Sequence, residues 1–403
     1  MTRSFSDLRF FVMATETSGF GKRIAALRRL AKMTQDQLAA KAGYSAHAVR
    51  AVEQGRDPAS PGFVAAVAAA LGVEPEQIYG TPYRDAMDED GTLDGLAELR
   101  AILSEGECVC GADPSPLDRL RAQLNSINDD DRAGQSRQAL ARLPKLIREL
   151  YGALATDPSP ETYAMLADAY NAADRMCRRF GHMSLTIPAV DRFDWAATHS
   201  GDPLNIALGK IMRTRLLMYH NNTDLALRLV DEAIALIEGE SEGALSVWGT
   251  AHLAGAVAAA RGRRLEIAQD HIAEARTIGA RLGHETRAYE TLMGPGNTEI
   301  HAVGVELEAG DPGKAATIGS ELSLPPTITR SRAGHLWQDV GRAWLLVGKP
   351  DKSLKALQQA RRISPQQTKL HPSVRETLYG IAAAERRRSE SLGAFASWVG
   401  ITV

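Results

Sequence analysis

The chain has 403 residues, with 47 Lys and Arg against 49 Asp and Glu, and 44% of its residues are hydrophobic. That length exceeds what one hydrophobic core usually supports, so two or three domains are expected. Three cysteines, two of them in Cys108-Val109-Cys110, exclude a secreted disulfide framework and favour a reducing cytoplasm. Without an apolar run of about 18 residues or a signal-peptide pattern, no membrane contact is expected.

Charge is unevenly distributed along the chain. Between Gly19 and Ser60, eight basic residues stand against three acidic ones, whereas residues 84–131 hold thirteen acidic and four basic residues. A local positive surface favours nucleic-acid binding, because basic side chains release counterions from phosphates. The acidic stretch is expected to be a solvated connector. The alternative is that it folds back on the basic segment and competes with nucleic acid.

Two short helices around a tight turn are predicted for residues 33–55, after an amphipathic helix at 21–31 with Ile24, Leu27 and Leu30 inward. Residues 1–18 are either a short arm or disordered. Thr34 and Ser45 can cap the two helices, because a hydroxyl accepts an early backbone N–H. Gly43 suits the turn, because glycine takes positive φ without a Cβ clash. The exposed positions of the second helix are Ala46, His47, Arg50 and Gln54.

The first domain is expected to close near Gly80. Residues 56–61 form a Pro-containing loop, and an Ala- and Val-rich helix at 62–71 ends at Gly72. A last turn begins at Pro75. Residues 1–80 are therefore predicted to form an all-α domain.

The pattern T-Q-x-x-L-A-x-x-A-G-x-S-x-x-x-V-x-x-x-E-x-G, from Thr34 to Gly55, resembles the Cro/phage-repressor (XRE) helix-turn-helix family. The resemblance implies a five-helix, lambda-repressor-like domain that binds double-stranded DNA as a homodimer and places its second motif helix in the major groove. It assigns base edges to Ala46, His47, Arg50 and Ala51. The full DNA-binding set that we predict is Gln35, Ser45, Ala46, His47, Arg50, Gln54 and Arg56.

Base readout would rest on His47 and Arg50, because the alanines among the base-facing positions can only touch a thymine methyl group. Arginine matches guanine O6 and N7. Specificity would be modest or would lean on DNA shape. The alternative is a small helical bundle with no role in DNA binding.

Residues 81–116 are predicted to be an acidic linker. It contains a weakly helical piece at 93–103 and the Cys-Val-Cys pair. A zinc site needs about four ligands, and no second Cys pair or nearby His is present, so two surface thiols are expected rather than a metal site.

A helical repeat is predicted from residue 117 to residue 403. In each repeat a Gly or Asn ends one helix, and a small residue follows early in the next helix. These small residues are Ala226, Ala268, Ala315 and Ser353, and successive ones are 42, 47 and 38 residues apart. The interval in a tetratricopeptide repeat is about 34 residues. Small residues allow paired helices to approach closely, and such stacks enclose a groove. Gly255 and Gly341 would serve the same contact from the facing helix.

Residues 117–403 resemble the degenerate tetratricopeptide modules attached to Cro-type domains in actinobacterial regulators. The resemblance rests on residues 194–210, 294–315 and 341–365. The same plan occurs in the peptide-pheromone receptors of Gram-positive bacteria, in which a peptide in the groove alters DNA binding. That analogy implies a peptide or small ligand here.

The repeat register places ten polar side chains on the groove. Arginine forks and asparagine amides could hold a carboxylate or an extended peptide backbone. The alternative is that several are interhelix pairs, such as Asp339 with Arg342, and that His301 is structural. The ten residues are Asn171, Arg175, Arg178, Arg215, His252, Asn297, His301, Gln338, Asp339 and Arg342.

The sequence predicts a cytoplasmic transcriptional regulator without enzymatic activity or cofactor, because no phosphate loop, nucleophile elbow, zinc motif or dinucleotide fingerprint occurs. A ligand in the groove would switch DNA binding. The alternative is a repeat scaffold that binds a partner protein and uses the N-terminal domain only as a localiser. At the C-terminus, a capping helix is expected at 371–388, and the apolar segment 392–403 either closes the last repeat or forms a dimer contact.

Overall fold

The computed structural model of the chain describes residues 19–79, 93–384 and 389–401. These ranges contain helices and connecting segments without any strand, which confirms the all-α prediction. The predicted arm at 1–18 and the start of the predicted linker lie outside the described residues. We call residues 20–79 the head and residues 93–401 the body.

The head contains five helices. The capping predicted for the motif is confirmed: Thr34 Oγ1 accepts from Gln37 N at 3.1 Å, and Ser45 Oγ accepts from Ala48 N at 3.1 Å. Gly43 has a φ of 70° and ends the first motif helix. The helices are α1 Phe20–Leu30, α2 Gln35–Ala42, α3 Ala46–Glu53, α4 Pro61–Leu71 and α5 Pro75–Tyr79.

One small apolar core joins all five helices of the head. Ile24, Leu38, Val49 and Ile78 are fully buried in it. The prediction that Leu30 faces inward is wrong, since its side chain is 61% exposed. Leu30 is the last residue of α1, and the chain then turns towards α2, so none of the described helices covers its side chain.

The body is a stack of helices that extends to Val399. Two short 3-10 helices, Gly106–Cys108 and Ala288–Glu290, interrupt it. Its α-helices are α6 Leu96–Glu105, α7 Leu117–Arg132, α8 Ser136–Thr156, α9 Pro160–Arg179, α10 Met183–Ser200, α11 Pro203–Tyr219, α12 Thr223–Ile234, α13 Glu242–Arg261, α14 Leu265–Leu282, α15 Pro295–Glu308, α16 Pro312–Glu321, α17 Arg330–Leu346, α18 Pro350–Ile363, α19 Pro365–Leu370, α20 Pro372–Ala384 and α21 Glu390–Val399.

Helix α6 packs as part of the body, although it lies inside the predicted linker. Leu96, Leu99 and Ile102 are buried in the same core as Leu120 of α7. Periodic leucines outweigh the acidic composition here, because they bury one face of the helix. Cys108 and Cys110, just after α6, are exposed free thiols.

The same turn closes the first helix of six successive helix pairs, from α7–α8 to α17–α18. In each turn one residue has a positive φ, and the backbone N–H of the next residue donates to the carbonyl oxygen five residues earlier. This bond gives one of the last carbonyl groups of the helix a partner. Asn222 and Gly262, the Asn and Gly that were predicted to end a helix, each lie one residue from the position with positive φ. Asn222 instead caps α12 through Leu225 N, at 3.3 Å. The positive-φ residues are Gly134, Gly181, Asn221, Arg263, Gly310 and Gly348.

Close approach within helix pairs depends on small residues, as predicted. Ala268 and Ser353 are fully buried. A Cβ at Gly255 would lie 2.7 Å from the His271 ring, and one at Gly341 would lie 2.9 Å from Leu357. A larger residue at either position would require the facing side chain to move.

The C-terminal helix closes the stack. Leu392, Phe395 and Val399 of α21 are buried with Val374 and Leu378 of α20, so the segment covers the last pair. Of the described helices, α13 has the length and apolar composition of a membrane span, and 67% of its most apolar window is buried inside the protein.

Candidate nucleic-acid interface and body cavity

Helix α3 presents one polar face to solvent. His47, Arg50 and Gln54 share that face by their i, i+3, i+7 spacing, and all three are exposed. Arg56, just beyond the helix, is also exposed. The expectation that Ala51 faces a base edge is wrong: it is 2% exposed, because it lies on the face that packs into the head.

A hydrogen-bonded chain behind this face fixes Arg50. Its Nε donates to Gln35 Oε1 at 3.3 Å, and Gln35 Nε2 donates to Glu53 Oε2 at 2.7 Å. Arg28 of α1 holds both carboxylate oxygens of Glu53, at 2.6 and 2.9 Å. Gln35, a member of the predicted DNA-binding set, therefore contacts Arg50. The Arg28–Glu53 pair was not predicted, because its members are 25 residues apart.

The head is docked on the body through polar and aromatic contacts. The guanidinium of Arg263 lies 4.2 Å from the Tyr44 ring centre, and Tyr79 stacks on Tyr219 with centres 6.4 Å apart. At the start of α4, a Cβ on Gly62 would lie 3.0 Å from Glu308 Oε2. The carboxylate of Glu308 therefore sits at the N-terminus of α4, where the helix dipole favours negative charge.

A second carboxylate meets the start of α1. Glu376 Oε1 accepts from Phe20 N at 3.1 Å across 356 residues of sequence. Burial raises the pKa of Glu376 from its ordinary value of 4.5 to about 7, although the Phe20 N–H and the charge of Arg23 act in the opposite direction. This contact therefore binds a proton more tightly in the docked protein than in an exposed chain.

Stability is expected to depend on pH through Glu376. Because the folded-state pKa exceeds the unfolded one, the folded protein holds an extra proton between pH 4.5 and about 7, and stability falls as the pH rises through that window. Glu376→Gln should match the wild type near pH 4.5 and exceed it near pH 8 by up to about 3 kcal/mol. Urea titrations across the pH range measure this. A difference that does not vary with pH would contradict the assignment.

A cavity of about 1120 Å³ lies between the head and the inner face of the body. Its wall includes Pro61, Glu76 and Tyr79 from the head. Of the ten predicted groove residues, His252 and Gln338 are not part of the wall: His252 Nδ1 lies 3.0 Å from His271 Nδ1, and Gln338 is 2% exposed. The eight that line the cavity are Asn171, Arg175, Arg178, Arg215, Asn297, His301, Asp339 and Arg342.

Several of these residues also pair between helices. Arg342 Nη2 donates to Glu308 Oε1 of α15 at 3.0 Å, and Arg215 Nη2 donates to Asp174 of α9 at 3.2 Å, whereas Asp339 lies 3.5 Å from His335 of its own helix. The Asp339–Arg342 pairing given as the alternative is therefore wrong, because each side chain has a nearer partner. Arg332 was not predicted, although it lines the cavity and donates to Asn297 Oδ1 at 2.7 Å.

Comparison with known proteins identifies the head. Residues 20–78 match the family described as "Helix-turn-helix domain". The chain therefore carries the class of domain that DNA-binding regulators use. No curated protein matches the chain. Among solved structures it is similar to BtubC (BKLC) from P. vanneervenii, with 15% identity and a TM-score of 0.37 over 67% of this chain and 96% of that chain.

Proposed function

We propose that the protein is a sequence-specific, cytoplasmic transcriptional regulator of the Cro/phage-repressor type. It binds its operator as a homodimer, and its tetratricopeptide-like body senses a peptide or small ligand. The observation that carries the DNA-binding part is the helix-turn-helix match combined with the exposed face His47, Arg50 and Gln54 on a rigidly capped α3.

Selection from a random pool of duplexes tests this function. The full chain should enrich one motif at low salt, with half-sites about one helical turn apart if a dimer binds. Failure to enrich any sequence, or binding that is equal for all duplexes, would contradict a specific regulator. A protein partner that binds the body stoichiometrically without altering DNA affinity would favour the scaffold alternative instead.

Ligand sensing is supported by residues that line the cavity and also contact the head. Arg342 and Glu308 line it, and Glu308 also faces Gly62 at the start of α4. Burial opposes ionisation of Glu308, yet Arg342 and Arg261 hold its pKa below the ordinary value, so it stays charged. A ligand that competes for Arg342 would therefore change the contact that holds the head.

Removing the charge of Glu308 should loosen the head. Glu308→Gln leaves Arg342 without its carboxylate and takes negative charge from the start of α4, so amides of α4 should exchange hydrogen at least about tenfold faster. Hydrogen exchange of the full chain measures this. Glu299→Gln is the matched control, because Glu299 lies on the same helix but pairs with the exposed Arg276 at 2.7 Å. Equal exchange of α4 in both variants would contradict the coupling.

A further inference from the structure

Three arginines from three helices line the cavity together. Arg178 lies on α9, Arg215 on α11 and Arg332 on α17. Burial, and after it the charge of Arg178, lowers the pKa of both Arg215 and Arg332 to about 10. Arg178 and Arg215 also share the carboxylate of Asp174, and Arg332 lines the same cavity, so we call the three the arginine cluster.

The arginine cluster has too few carboxylates to balance its charge. Asp174 is the shared partner of Arg178, at 3.0 Å, and of Arg215, at 3.2 Å. Arg332 forms no ion pair with any residue in the described ranges. Two neutral acceptors, Asn297 Oδ1 and His301 Nε2, hold it instead. The three guanidinium groups thus share one ion-paired carboxylate, and Asp339 acts on Arg332 without forming an ion pair with it, so positive charge is in excess and an anion would balance it.

Hydrogen-bond donors around the arginine cluster also lack acceptors. Arg215 Nε and Arg175 Nη1 are buried and have no hydrogen-bond partner among the described residues. A buried donor without a partner costs free energy. Burial, and after it the charge of Arg332, lowers the pKa of His301 well below the ordinary value, so His301 is neutral and its Nε2 can accept from Arg332 without altering the charge of the site.

An apolar wall continues from the arginine cluster. Leu208 and Ile211 share one face of α11 with Arg215, by their i, i+3, i+7 spacing. Leu253 and Val257 of α13 also line the cavity. The volume of about 1120 Å³ far exceeds that of a single inorganic ion and is large enough for an organic ligand.

We propose that the cavity binds a small amphipathic anion. Its oxyanion, a carboxylate or a phosphate, is held by Arg178, Arg215 and Arg332, whose forked donors match either group. Its apolar part lies against the wall of α11 and α13. The inference rests on the proposed ligand-sensing function and specifies the chemistry of the ligand.

Calorimetric titration of the full chain with octanoate, octyl phosphate and octanol tests the proposal. The three probes share an alkyl chain and differ in the head group. At least one of the two anions should bind about tenfold or more tightly than octanol, because charge-assisted hydrogen bonds form only with an oxyanion. The order of the two anions distinguishes a carboxylate ligand from a phosphate ligand.

Variants locate the binding site. Arg332→Gln should remove the preference for the anions, and Arg332→Lys, which keeps the charge but loses the fork, should retain part of it. Arg276→Gln, outside the cavity wall, should leave the preference unchanged. Circular dichroism checks that each variant is folded, and the comparison of octanoate with octanol in the wild type does not depend on any variant.

Three results would overturn the inference: octanol binding as tightly as both anions, no binding of any probe, or Arg332→Gln keeping the preference. A mobility shift with DNA on the same preparation separates this failure from failure of the proposed function. Protein that shifts DNA but ignores the anions overturns only the ligand assignment. If the protein binds the anions but does not bind DNA, only the proposed function as a DNA-binding regulator is overturned.

Discussion

Replacing Arg50 with alanine should lower affinity for the preferred duplex by about 1–3 kcal/mol and make one base position tolerant. Arg50 is exposed on α3 and is oriented by Gln35, whose amide oxygen lies 3.3 Å from its Nε. Because that bond uses only Nε, both terminal nitrogens of Arg50 stay available to donate to guanine O6 and N7. The substitution removes that contact and leaves the capped helix intact.

Arg56→Ala is the comparison for Arg50→Ala. Arg56 lies beyond the end of α3, so it should contact phosphate and weaken all duplexes alike, with the salt slope reduced by about one. Fluorescence anisotropy on the selected duplex and on single-base variants separates the two behaviours. Unchanged affinity of Arg50→Ala on every duplex would show that α3 does not read bases.

Gly21→Ala should destabilise the head by about 3 kcal/mol. Gly21 of α1 packs directly on the backbone of α3, and an added Cβ would overlap Val52 O. The added Cβ and Val52 O are both fixed to the backbone, so no side-chain rotation can relieve their overlap, and α1 must separate from α3. That separation breaks the contacts of the buried Phe20 and Ile24 and disturbs the Arg28–Glu53 pair, so DNA binding should be lost as well.

Gly393→Ala is the matched control for this substitution. Gly393 lies inside α21, and a Cβ added there would meet nothing within 4 Å, so alanine should stabilise the helix by up to about 1 kcal/mol. Urea unfolding followed by circular dichroism measures both variants. If Gly21→Ala were as stable as the wild type, the close packing of α1 on α3 would be wrong.

Local hydrogen bonding explains why most of the head could be predicted. Thr34, Gly43 and Ser45 define the ends of the motif helices through bonds within four residues, which a sequence shows directly. Which side of a short helix is buried is harder to predict from the sequence. Leu30 and Ala51 were assigned wrongly because their orientation depends on which neighbouring helix lies over them.

Contacts between distant segments explain what the sequence did not predict. Small residues indicated the helix pairs, but the turn position moved by one residue because Asn221 and Arg263 take positive φ in place of glycine. Arg332 is held by Asn297, 35 residues away, and Glu376 meets Phe20 across 356 residues. No local pattern marks such pairs, so Arg332 and the docking of the head were not predicted, whereas Arg178 and Arg215 were placed on the groove.

Methylation interference on the selected duplex tests the central claim most directly. Guanine N7 lies in the major groove and adenine N3 in the minor groove. If α3 reads the major groove through Arg50, methylation of particular guanines at N7 should prevent binding by the wild type and should matter less for Arg50→Ala. Interference confined to adenine N3, or no complex with any duplex at low salt, would contradict the account.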